Sequence, residues 1–141
     1  MFGALGLALC AFGTAHAQAK FSFATTPGQL PKTVVPTRYT LSVVPNPKTL
    51  TFTGWEAVDI NVKAPTKTIV LNELGLAVSK AELGPVLRTG NQLSLLASSQ
   101  KRTVPSIKAD DAAQTLTLTF PKIVAPGAYS LTINYTGKVG L

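Results

Sequence analysis

The sequence predicts an all-β fold, an antiparallel β-sandwich or a set of curved open sheets. Three observations point there. From Val34 onward apolar residues recur with period two rather than 3.6, the pattern of strands that cover a core on one face. Proline and glycine stand between these alternating runs, where turns need a fixed or positive φ. Beyond residue 17, no segment combines helical spacing with capping residues.

The chain opens on a segment of another kind. Phe2 to Thr14 is a run of Gly, Ala, Leu and Phe with one Cys, followed by Ala15-His16-Ala17 and then Gln18. An apolar core ending in Ala-x-Ala is the pattern of a secretory signal peptide. It is shorter than the roughly 20 apolar residues a spanning helix needs, so no transmembrane segment is expected. Residues 1–17 are therefore read as a signal peptide cut between Ala17 and Gln18, and the product as exported, either periplasmic or secreted. One feature departs from the pattern, since no Lys or Arg precedes the apolar run. Leu9 before Cys10 argues against a lipoprotein signal. Residues 18–29 mix Ala, Lys, Ser, Thr, Pro and Gly without period and read as a flexible leader. Residues 30–141 are long enough for one domain with a single core.

Within that domain the strands follow in order. Tyr39, Leu41 and Val43 alternate with Thr40 and Ser42, and Pro45-Asn46-Pro47-Lys48 closes the run. Val58, Ile60 and Val62 alternate with Asp59 and Asn61, up to Ala64-Pro65-Thr66-Lys67. Thr68 to Leu71 is continuously β-branched or apolar, which predicts a more central strand. Leu76-Ala77-Val78 and Leu93 to Leu96 carry weaker strand signals, with Gly90-Asn91 fitting a tight hairpin turn. Leu116, Leu118 and Phe120 alternate with Thr115, Thr117 and Thr119. Tyr129, Leu131, Ile133 and Tyr135 alternate with Ser130, Thr132, Asn134 and Thr136, after a Pro126-Gly127 pair suited to a type II turn. The three tyrosines fall on apolar faces and are expected in the core, with their hydroxyls partnered.

Composition excludes several chemistries. The only Cys is Cys10 and the only His is His16, so the chain after cleavage has neither. That removes disulfides, thiolate catalysis, a His-based zinc site and any Ser-His-Asp arrangement. The six acids are Glu56, Asp59, Glu73, Glu82, Asp110 and Asp111. Only the last two are adjacent, and an Asp pair there most simply starts a turn. No catalytic, cofactor-binding or metal-binding residue is assigned. The net charge is +7, but the cations are scattered, with Lys101-Arg102 the only doublet and no aromatic interleaving. No nucleic-acid surface is expected from such a distribution. Trp55 is expected to pack at a strand end or domain interface, and Ser106-Ile107-Lys108 is too isolated to mark a nucleophile with its base.

Specific residues add a resemblance. Leu30-Pro31 is followed by Val34-Val35-Pro36-Thr37-Arg38-Tyr39-Thr40-Leu41, then Phe52-Thr53-Gly54, then Thr66-Lys67-Thr68-Ile69-Val70-Leu71-Asn72. Near the end stands Val124-Ala125-Pro126-Gly127-Ala128-Tyr129-Ser130-Leu131-Thr132-Ile133-Asn134-Tyr135-Thr136-Gly137. In this order the blocks resemble the N-terminal β-domain of the aminopeptidase N family of zinc metallopeptidases. The resemblance implies proteolysis in the full-length protein, with zinc held by His-Glu-x-x-His and a distant Glu, and the substrate amino terminus held near Gly-x-Met-Glu-Asn. None of these motifs occurs in residues 1–141, whose single Met is Met1. It therefore implies a non-catalytic, truncated N-terminal domain or fragment, partnered by a catalytic domain that it helps to cap. The alternative is a stand-alone envelope β-sandwich serving as a binding or adaptor module. Truncation after Tyr135-x-Gly137 also predicts an exposed edge on the last strand, and self-association through it.

Overall fold

The computed structural model describes residues 30–86, 88–89, 92–93 and 101–140, and these are all-β. Nine strands follow in order: β1 (Val34–Asn46), β2 (Thr51–Val62), β3 (Thr66–Asn72), β4 (Leu76–Pro85), β5 (Arg88–Thr89), β6 (Gln92–Leu93), β7 (Ser106–Asp110), β8 (Thr115–Val124) and β9 (Gly127–Lys138). They form a four-stranded sheet in the order β1-β2-β9-β4, a three-stranded sheet β3-β8-β7 and the small pair β5-β6. Every pairing is antiparallel.

The two larger sheets pack face to face. Val58, Ile60, Val62, Leu83, Leu131 and Ile133 from one meet Ile69, Leu116, Leu118 and Phe120 from the other in one buried cluster. Each apolar residue of an alternating run lands on the same side of its strand, so the pattern itself builds the two inner faces. Leu118 and Leu131 are wholly buried. The chain passes between the two layers four times, and two of these passages lie side by side at one end of the sandwich. One lies between Val62 and Thr66, and the other between Val124 and Gly127.

The passage at Pro126-Gly127 corrects the expected type II turn. Gly127 has φ 154°, not the value near +80° that such a turn requires. Pro126-Gly127 carries the chain from β8 in one sheet to β9 in the other, so there is no hairpin for a tight turn to close. Other turns match the expectation. Pro47 to Leu50 joins β1 to β2, with Asn46 Oδ1 accepting the Lys48 amide at 3.1 Å. Asp110 Oδ1 accepts the Ala113 amide at 3.0 Å and shapes the β7–β8 turn. Gly90, Asn91 and residues 94–96 lie outside the described residues, although Thr89 pairs with Gln92 across a two-residue gap. Residues 1–29, with the expected cleavage site at Ala17 and Gln18, also lie outside.

Strand order brings two further corrections. The last strand is not an edge, because β9 lies between β2 and β4 and is paired on both sides. The expected self-association through that edge has no basis in this topology. β3, read as central, is instead the edge of the smaller sheet. Its apolar run reflects Ile69 in the core and Val70 and Leu71 beside a groove, not cover on both flanks. The true outer edges carry devices that discourage pairing. β1 contains Pro36 and Pro45 and a register shift between Pro36 and Arg38. The other side of the large sheet is extended by a bridge between Leu83 and Thr103, closed by amide–carbonyl bonds of 2.9 and 2.8 Å.

Candidate interaction surface

β1 and β2 pair along their whole length, and the register decides which side chains share a face. Tyr39 stands opposite Val58, Leu41 opposite Glu56, Val43 opposite Gly54 and Pro45 opposite Phe52. Val58 is on the core side, so all of these residues are on the inner face. The smaller sheet has one strand fewer and does not reach across β1. Tyr39, Leu41 and Val43 are accordingly 57%, 60% and 52% exposed, against 3% for Val58. Tyr39 was expected in the core, and the missing fourth strand above it is why it is not. Tyr135 is part-buried, and Tyr129 is part-buried with its hydroxyl donating to the Ala125 carbonyl at 3.0 Å.

Two motif fragments meet in the middle of the sheet. Antiparallel register sets Phe52 opposite Gly137 and Gly54 opposite Tyr135, so Phe-x-Gly and Tyr-x-Gly interlock head to tail. A Cβ at Gly54 would collide with the Tyr135 ring, and one at Gly137 with the Phe52 ring. The two rings meet edge to face, with centroids 6.4 Å apart and planes at 82°. Glycine is required at both places because each aromatic ring lies flat on the strand opposite.

Beside this pair the sheets part into a groove of about 300 Å³. Val34, Tyr39, Val58, Ile69, Leu71 and Leu76 contribute apolar wall, and Glu56, Glu73, Asn72 and Tyr135 contribute polar groups. No lysine, arginine or histidine lines it among the described residues. The Glu56 carboxylate makes no hydrogen bond or ion pair among the described residues, and burial pushes it above the usual carboxylate range. The Tyr39 and Tyr135 phenols are pushed up as well, by desolvation first and by the Glu56 charge second. Glu73 is 6% exposed, and its Oε1 accepts the Leu76 amide at 2.6 Å, tightening the β3–β4 turn. Its Oε2 is buried with no hydrogen-bond partner among the described residues.

Other residues singled out in the sequence are dispersed. Trp55 lies inside β2, part-buried opposite Ser42 and Asn134 on the outer face, and not at a strand end. Ser106 donates to the Thr119 carbonyl at 3.4 Å on the edge strand β7. Asp110 and Asp111 are exposed at their turn. On the outer face Arg102 lays its stem on Gly84 and donates to Thr132 Oγ1 at 3.4 Å. Among the described residues no group of three or more His, Cys, Asp and Glu could hold a metal ion. The described residues thus do not assemble a zinc site. No helix of the described residues is long and apolar enough to cross a membrane.

This architecture is that of a β-domain which presents an incompletely covered inner face and carries no assembled catalytic group among its described residues. Comparison with known proteins is specific about its kind. A family profile described as the Peptidase M1 N-terminal domain matches residues 35–140, and the chain belongs to that family. It is 37% identical over 123 residues to Aminopeptidase N of Acetobacter pasteurianus, covering 87% of this chain and 30% of that one. It is 31% identical over 109 residues to Aminopeptidase M1 of Arabidopsis thaliana, covering 77% of this chain and 12% of the relative. The crystal structure of an M1 zinc metallopeptidase from Deinococcus radiodurans shares its fold, with a TM-score of 0.56, 23% identity and coverage of 82% of this chain and 23% of the other. The chain therefore spans less than a third of the length of these relatives.

Proposed function

We propose that this chain is the non-catalytic N-terminal domain of an exported zinc aminopeptidase, and that it packs against and helps cap a catalytic domain outside residues 1–141. The observation that carries the reading is the open inner face of β1. Tyr39, Leu41 and Val43 form a row of apolar side chains on the inner face of the sheet, more than half exposed, and no layer of the described residues covers them. Contiguous exposed apolar surface of this kind is the usual mark of an interface. The family assignment and the names of the relatives support a catalytic domain as the covering body. Export rests on the Ala15-His16-Ala17 pattern, and N-terminal sequencing of the envelope fraction should return Gln18 as the first residue.

A chimera tests the reading. Residues 35–140 would replace the matching segment of Acetobacter pasteurianus Aminopeptidase N, the remainder of that enzyme being unchanged. The expected result is a soluble chimera that hydrolyses aminoacyl chromogenic substrates, while the chain alone shows no turnover and no stoichiometric zinc. A folded but inactive chimera would count against the capping role. Turnover by the chain alone, with about one zinc per chain, would overturn the non-catalytic assignment.

A further inference from the structure

We propose that the groove between the sheets is a receptor for a lysine or arginine side chain presented by the polypeptide on which this domain packs. Glu56 and Glu73 are the anionic groups and the β1 row is the apolar rim. The inference rests on the docking reading above and adds the chemistry of the contact.

Three observations converge on it. The charged groups of the groove are two carboxylates reaching it from different elements, Glu56 from the middle of β2 and Glu73 from the β3–β4 connection. No cation lines the groove among the described residues, so no lining residue balances its two carboxylates. The second observation is Glu73 Oε2, buried and without a donor among the described residues although its sister oxygen is satisfied by the Leu76 amide. A buried carboxylate oxygen without a partner is costly, and a donor arriving from outside removes that cost. The third is shape. Apolar walls lead to acidic groups, and lysine and arginine combine an aliphatic stem with a charged tip.

A segment of polypeptide fits better than a small free amine. Leu41 stands directly opposite Glu56, and Tyr39 and Val43 flank it on the same open face. An occupant seated at Glu56 therefore has an apolar strip beside it, which neighbouring side chains of a chain would cover and a lone amine would leave wet. The relatives supply such a chain, since less than a third of their length is matched here.

Blocked tripeptides are the probe. Acetyl-Leu-Lys-Leu-amide and acetyl-Leu-Arg-Leu-amide would be titrated into the isotope-labelled full chain, with acetyl-Leu-Gln-Leu-amide as control. Saturable amide shifts at Tyr39, Glu56, Glu73 and Tyr135 are expected with the two cationic peptides, at least about tenfold stronger in affinity than with the glutamine peptide. Glu56→Gln and Glu73→Gln, which keep an acceptor oxygen and are checked by thermal melts, should each bring the cationic peptides toward the control. The exposed-site change Asp110→Asn should leave binding as it was. Equal affinity for all three peptides, shifts centred elsewhere, binding indifferent to both glutamine variants, or no saturable shift would each overturn the proposal. So would a dimer of the chain that buries the groove. None of these outcomes bears on the chimera, so the docking reading and the cation receptor can fail separately.

Discussion

β1 and β2 are neighbours in one sheet, paired along their length, and both alternate apolar and polar residues, yet their inner faces meet opposite fates. Val58, Ile60 and Val62 on β2 are sealed in the core. Tyr39, Leu41 and Val43 on β1 are more than half exposed. Composition does not explain the contrast, because the β1 residues are as large and as apolar. The cause is the opposite layer, which has three strands against four. Alternation specifies a face, while burial is decided by what lies across from it. The uncovered strip also holds Glu56, a residue that would be hard to keep in a closed core.

The contrast is most simply broken by truncating one leucine on each side of the boundary. Leu131 is fully buried, and Leu131→Ala should cost roughly 2–5 kcal/mol through lost burial and the cavity left behind. For a domain of this size each 1 kcal/mol moves Tm by roughly 4–8 °C. Leu41→Ala on the same face should cost less than about 0.5 kcal/mol in the isolated chain, as exposed substitutions do. Urea unfolding of both variants checks this. Comparable losses would mean that the strip is covered in solution.

Gly54→Ala probes the boundary itself and should have the next largest effect. The new methyl group enters the space of the Tyr135 ring, and overpacking of this kind costs about 1–3 kcal/mol. Trimming the ring with Tyr135→Leu in the same molecule should recover part of the loss. A double-mutant cycle would therefore show coupling between the two sites. Additive losses would place the ring away from Gly54 and dissolve the interlock between Phe-x-Gly and Tyr-x-Gly.

Much of the sandwich was legible in the sequence because its inner residues announce themselves by parity. Val58, Ile60, Leu116, Leu118, Phe120, Leu131 and Ile133 were read as inward-facing and are buried. Strand order was not legible, since the insertion of β9 between β2 and β4 depends on pairing between distant segments. The same non-local information makes β3 an edge and Pro126-Gly127 a passage between layers. Glu56 was missed although a signal existed. Counting Phe52, Gly54, Glu56, Val58 and Ile60 by twos puts the carboxylate on the core side. Glu73 gave no such signal, because its burial comes from the turn that it closes through the Leu76 amide.

Glu56 offers the smallest effect and the finest resolution of the boundary. Burial raises its pKa in the folded chain above the unfolded value, which for a glutamate is about 4.3. The folded state then holds the proton more tightly than the unfolded state does. Its contribution to stability is fully present below the unfolded pKa and is lost as pH rises through the folded value. Above that window the folded protein carries a half-buried charge that Glu56→Gln removes. The variant should therefore be slightly more stable than the wild type at neutral pH, by a small fraction of the Leu131→Ala effect, and the two should converge as pH falls below about 4.3. Taking the difference between the two proteins cancels the titration of the other carboxylates. Thermal melts from pH 3.5 to 7.5 provide the measurement. A wild type more stable than the variant at neutral pH, losing that advantage on acidification, would mean that Glu56 is stabilised as an anion by a partner within the chain. The groove would then already hold its cation, and the open and closed halves of the inner face would be less different than the structure makes them.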